Sequence, residues 1–148
     1  METTPTIRVG AVLIDFLVDA GDSGGSATLF ECTVPAAAKV PLPHSHDSFE
    51  ETIYGLEGIC TWTIGGEVRE IGPGDSVCIR RGQVHGFDNR GNEHAKFLAI
   101  ATPGLLGPSY FTDIARVLEA SGPPNPVALS EVMRRHGLTP ARPQGPRT

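Results

Sequence analysis

Several protein classes are excluded by what this sequence has little of. Its three cysteines, Cys32, Cys60 and Cys78, are widely spaced and form no Cys-x-x-Cys pair. A disulfide scaffold needs cysteines at high density and a zinc ribbon needs them in pairs, so reduced thiols are expected. No apolar run approaches the ~20 residues of a membrane span. The start METTPTIRVG also lacks the basic and apolar stretches of a signal peptide, and a cytoplasmic protein without a membrane partner is expected. Cationic charge is scarce as well. Twelve Lys and Arg against 17 Asp and Glu leave a net charge of −5 and a pI near 5.5, which argues against a nucleic-acid partner, because phosphate-backbone binding relies on clustered cations. No internal repeat is found.

What is present fits one soluble domain of 148 residues, long enough to bury a core and too short for two. The 18 glycines and 13 prolines favour many short strands joined by turns, so an all-β fold is expected. Residues 7–18 are rich in Ile, Val, Leu and Phe and read as a strand; Ala20 to Ser26 reads as a turn and Ala27 to Val34 as a second strand. Pro35 ends that strand, and Pro41 and Pro43 stiffen the approach to His44. From Glu51 the chain alternates strand and turn: ETIYGL, ICTWTI and EVREI, with Gly65-Gly66 as a hairpin dipeptide, then SVCI, Val84 to Phe87, and AKFLAIA. After Pro103 the spacing of Phe111, Ile114, Ala115 and Leu118 is helical, with Gly122 beyond the end. Asn125 can cap a second helix opened by Pro126 and closed by Gly137. The expected organisation is a β-barrel over residues 1–104, a helical extension of the same domain over 105–138, and a flexible tail over 139–148.

The chemistry concentrates in PHSHDSFEE, Pro43 to Glu51. His44 and His46 are two residues apart, so on a strand both imidazoles leave the same face and can share a cation. Either Glu50 or Glu51 can complete the set, because Asp47 and Ser48 are turn formers that reset the register.

The stretch PHSHDSFEETIYGLEG resembles the first motif of the cupin family, with His44, His46, Glu51 and Gly58 at the motif positions. Residues 73–89, PGDSVCIRRGQVHGFDN, are similar to the second cupin motif, with Gly74, Gly82, His85 and Asn89 in place and Arg80 where the family has proline. The first motif's leading glycine is also absent. The resemblance covers roughly residues 21–102 and, more loosely, the two helices. It implies a single-domain jelly-roll barrel with two short C-terminal helices, of the small quercetin-dioxygenase-like kind. It also implies a metal inside the barrel held by His44, His46, Glu51 and His85. Three imidazoles and a carboxylate suit one divalent Fe, Mn, Co, Ni, Cu or Zn ion and leave exchangeable positions.

The expected function is a metal-dependent dioxygenase acting on a small oxygen-rich substrate, flavonol-, diketone- or catechol-like, with Glu51 as ligand or base. A redox-neutral isomerase or lyase and a non-catalytic small-molecule sensor are the alternatives. Phe87, two residues beyond His85 and on the same strand face, is a substrate-wall candidate; Arg81 is a candidate for holding a substrate carboxylate at the barrel mouth. His94 and His136 are expected to be a turn residue and a helix-end cation. Cys60 and Cys78 are expected in the core. Ile7 to Val18 could mediate a homodimer.

Overall fold

The computed structural model describes residues 6–38, 40, 43–120 and 122–141. Pro41 and residues 142–148 of the expected tail lie outside the described residues. In chain order the elements are β1 (Ile7–Val9), β2 (Val12–Val18), α1 (Ala20–Ser23), β3 (Thr28–Val34), β4 (His44–His46), β5 (Glu50–Glu57), β6 (Cys60–Ile64), β7 (Glu67–Ile71), β8 (Ser76–Ile79), β9 (His85–Asp88), β10 (Ala95–Thr102), α2 (Pro108–Glu119), α3 (Pro126–Arg135) and β11 (Leu138–Pro140).

The strands form two antiparallel sheets. One has the order β1-β2-β3-β10-β5-β8, the other β11-β4-β9-β6-β7. Strict alternation in β3 and β10 sends Phe30, Cys32 and Val34, and Phe97, Ala99 and Ala101, into the core.

 The same alternation brings Ile53 of β5 and Trp62 of β6 to meet them between the sheets. Each such fully buried side chain contributes roughly 1.5–3 kcal/mol of transfer free energy, which holds the two sheets face to face.

Local turn chemistry sets the registers. Gly65 and Gly66 both take positive φ, 56° and 87°, and the resulting two-residue loop pairs Ile64 with Glu67 as the sequence predicts. Gly58 is fixed by crowding as well as by its φ of 61°: a Cβ there would lie 2.2 Å from the His94 carbonyl oxygen. That close backbone approach fixes β5 against β10 at the end of the pair away from Glu51.

Four local expectations are corrected. Residues 7–18 are a hairpin and not one strand, because Gly10 and Ala11 form a tight turn between Val9 and Val12. Residues 20–26 begin as the one-turn helix α1, since Asp19 and Asp22 form a reciprocal capping box. Cys78 is exposed, because alternation in the edge strand β8 turns Ile79 inward instead. The stretch assigned to a flexible tail from residue 139 starts within a strand: β11 pairs antiparallel with β4, Leu138 opposite His46, and Thr139 Oγ1 donates to Asp47 Oδ1 at 2.7 Å.

The two C-terminal helices form where expected. Asn125 Oδ1 accepts from the Val127 and Ala128 amides at 3.0 and 3.3 Å, which satisfies donors that a helix start leaves open. Helix α2 buries Tyr110, Ile114 and Ala115, and α3 buries Leu129, Val132 and Met133. Together with β11 these helices close one side of the space between the sheets.

Candidate metal centre

Three imidazoles converge inside the barrel from one sheet. His44 and His46 leave the same face of β4, and β9 runs antiparallel to β4 with His85 directly opposite His44. The ring centroids are 4.8 Å apart for His44 and His85 and 4.5 Å for His46 and His85. One ring nitrogen from each of the three lies within 4.8 Å of the others, a spacing that can bind a metal ion.

The strand carrying His44 and His46 is only three residues long and is held by its surroundings. The Gly82 amide donates to the His46 carbonyl at 2.9 Å, the Asp47 amide to the Gly137 carbonyl at 2.9 Å, and the His46 ring stacks on Phe49 at 4.3 Å. Such support fixes side-chain direction in a short element.

Glu51 approaches from the opposite sheet, paired in register with Ile79 and Ala101. Its carboxylate Oε1 lies 3.7 Å from His85 Nε2, and the residue is 7% exposed. Glu50, one position earlier, points the other way and is gripped by Arg81: Nε and Nη2 donate to its two oxygens at 2.7 and 2.8 Å, and the Arg81 amide donates at 3.1 Å. Alternation along β5 therefore splits two adjacent glutamates between the interior and the surface.

Burial disfavours charge on the side chains of the site. Burial raises the Glu51 carboxyl to about 7, while burial and then the neighbouring His85 and His44 hold His46 down at about 2. Burial also lowers His85, against a smaller opposing effect of its bond to Gln83. The His46 and His85 imidazoles are thus neutral, the form that ligates a metal. His85 Nδ1 lies 2.9 Å from the Gln83 carbonyl oxygen. A carbonyl only accepts, so Nδ1 carries the hydrogen and Nε2 keeps its lone pair.

That lone pair has no hydrogen-bond partner, and neither does His46 Nδ1, although both atoms are buried. Unpaired buried polar atoms are costly. Two orphaned ring nitrogens beside a buried carboxyl are what a divalent ion would satisfy, so these residues fit such a group. Outside the site Glu50 is held down at about 2 by its bonds to Arg81.

The histidines and Glu51 form part of the lining of a cavity of about 90 Å³ whose remaining walls are largely apolar, with Trp62, Phe87, Phe97 and Tyr110 among them. Phe87, the substrate-wall candidate, is among the residues that line this cavity. Arg81 does not line this cavity; it is 51% exposed and occupied by Glu50, because β5 turns Glu50 outward beside it. The two remaining histidines lie apart from the centre: His94 Nε2 is 3.6 Å from Glu57, and His136 Nε2 is 2.9 Å from Asp113.

Sequence reasoning missed Tyr110, Met133 and Leu138, which enter the cavity from α2, α3 and β11. The apolar helical spacing around Phe111 and Ile114 was the available signal, but it does not say what that face covers. Asn89 acts structurally: its Nδ2 donates to the Val34 and Glu93 carbonyls at 3.1 and 2.7 Å, and its Oδ1 accepts from the Gly91 amide at 3.0 Å.

Comparison with known proteins adds context to this geometry. A family model described as Cupin domain matches residues 30–101. An uncharacterized protein of Methanocaldococcus jannaschii is 32% identical over 94 residues, covering 64% of this chain and 74% of that protein. Quercetin 2,3-dioxygenase of Bacillus subtilis is 34% identical over 72 residues, but these are 48% of this chain and only 21% of the dioxygenase. Among solved structures, the polyketide cyclase RemF from Streptomyces resistomycificus superposes with a TM-score of 0.57 at 30% identity, covering 67% of this chain and 68% of the cyclase.

Proposed function

Because the chain belongs to the cupin family, we propose that it is a metal-dependent enzyme, a dioxygenase acting on a small organic substrate that presents an enol, phenol or ketone oxygen. The observation that carries this reading is the convergence of His44, His46 and His85 with the buried Glu51 at the wall of an apolar cavity. His44, His46, His85 and Glu51 would hold one divalent transition-metal ion. Such an ion supplies Lewis acidity toward a substrate oxygen and, if redox-active, a route to dioxygen chemistry.

The chain's own residues supply the rest. The Gln83 carbonyl holds His85 in the tautomer that presents Nε2 to the centre. Glu51, at the cavity wall and close to His85, would serve as a ligand or, released from the ion, as the base for a substrate hydroxyl. Phe87, Phe97 and Trp62 pack edge and face against one another, forming a rigid wall that excludes water from a bound ring.

The test is metal analysis of the purified protein followed by oxygen uptake with a panel of flavonols, diketones and catechols. Metal-dependent uptake with one class supports the dioxygenase. A second reading, redox-neutral chemistry on a similar substrate, is supported by the likeness to the polyketide cyclase, which extends over a larger share of that protein than the likeness to the dioxygenase does. Substrate turnover without oxygen consumption would select it.

A further inference from the structure

Tyr110 is the third residue of α2, and it reaches the cavity from outside the two sequence stretches that supply the histidines and Glu51. The residue is 6% exposed and lines the same cavity as those four side chains. Its ring is fixed edge-on against Phe111 and His136, with centroids 5.1 and 5.5 Å away. Its hydroxyl makes no hydrogen bond among the described residues, and it retains some accessible surface, since it is not one of the fully buried unpartnered side-chain atoms. The ring is thus held in place at the cavity wall while its polar end stays open to a partner.

The rest of the lining narrows what that partner can be. Among the described residues no Lys or Arg borders the cavity, and the polar side chains on it are the three histidines, Glu51, Cys32, Tyr110 and the Trp62 indole. Beyond the ion the centre would hold, a charged phosphate or a second carboxylate would meet no cationic side chain there. An apolar ring would be accommodated by Phe87, Phe97 and Trp62.

We propose that Tyr110 is a substrate-binding residue, its hydroxyl donating a hydrogen bond to an oxygen of an uncharged, largely apolar ring compound seated in the cavity. The inference rests on reading this cavity as the substrate site of the proposed enzyme. Burial, and then the charge of Glu51, raise the proton affinity of the phenol, which keeps it a donor.

Two probes of nearly the same shape separate the hydrogen bond from packing: acetophenone, which offers a ketone oxygen, and isopropylbenzene, which offers none. Trp62 is the single tryptophan and lines the cavity, so quenching of its fluorescence reads the binding of both to the full-length protein and to Tyr110→Phe. Bound metal is quantified in each sample, so absence of metal reports on the enzyme reading while the probe ratio reports on Tyr110. Tyr110→Phe is expected to bind acetophenone about fivefold more weakly, the value of one net hydrogen bond, with isopropylbenzene affinity and thermal midpoint unchanged. An unchanged acetophenone affinity, an equal loss of both probes, a lowered midpoint, or no binding of either probe to the wild type would each overturn the proposal.

Discussion

His44 stands directly across the β4–β9 pair from His85, and this single register fixes which side chains can share an ion. Shifting β9 by one residue would turn His85 to the outer face and bring Gly86 opposite His44. Gly86 lies against Pro43, where a Cβ would make only ordinary contact at 3.4 Å, so the strand pairing and not a crowded glycine holds this register.

The first prediction separates the two adjacent glutamates. Glu51→Gln is expected to weaken metal binding clearly while leaving the fold intact, because it removes the buried carboxylate. Glu50→Gln is expected to leave metal content unchanged and stability nearly so, since the pair it breaks with Arg81 is exposed. Equal metal loss in both variants would count against the inward assignment of Glu51.

Asn89 is expected to matter for folding and not for chemistry. Asn89→Ala removes three hydrogen bonds and leaves the buried Val34 carbonyl without this donor, a loss of about 2–3 kcal/mol. Urea denaturation reads it directly. A change too small to resolve would show that water replaces the side chain.

Stability should also depend on acid through α2 and the end of α3. Asp113 accepts from His136, with Arg135 and Arg116 adding smaller effects, and its carboxyl is held below the ordinary value of 3.8. A depressed carboxylate binds protons less in the folded state than in the unfolded one. Its contribution is therefore present above 3.8 and lost as pH falls through the folded value. The stability gap between the wild type and Asp113→Asn should be open at neutral pH and close in strong acid. A gap that widens in acid would reverse the sign and contradict the assignment.

Much of this was legible in the sequence, for physical reasons that differ by element. Gly65-Gly66 and Asn125-Pro126 act within a few residues, so their turn and cap could be read locally. The pair His44 and His46 could be read from strand periodicity. The hairpin at Gly10 was hidden because Val9, Gly10, Ala11 and Val12 keep an apolar run going through the turn. Arg81 was misplaced because its partner Glu50 is 31 residues away and becomes a neighbour only when β5 and β8 pair. Tyr110 and Leu138 depend on where α2 and β11 dock, which no local pattern encodes.

The central claim is that His44, His46, His85 and Glu51 hold one metal ion. Metal content per chain after metal-replete expression, measured for the wild type and for His85→Ala with circular dichroism to verify the fold, tests it most directly. The account predicts close to one divalent ion per wild-type chain, with a thermal midpoint that falls on chelation, and loss of most of that ion in a folded His85→Ala. A wild type without metal, or a His85→Ala variant that keeps its full complement, would contradict it.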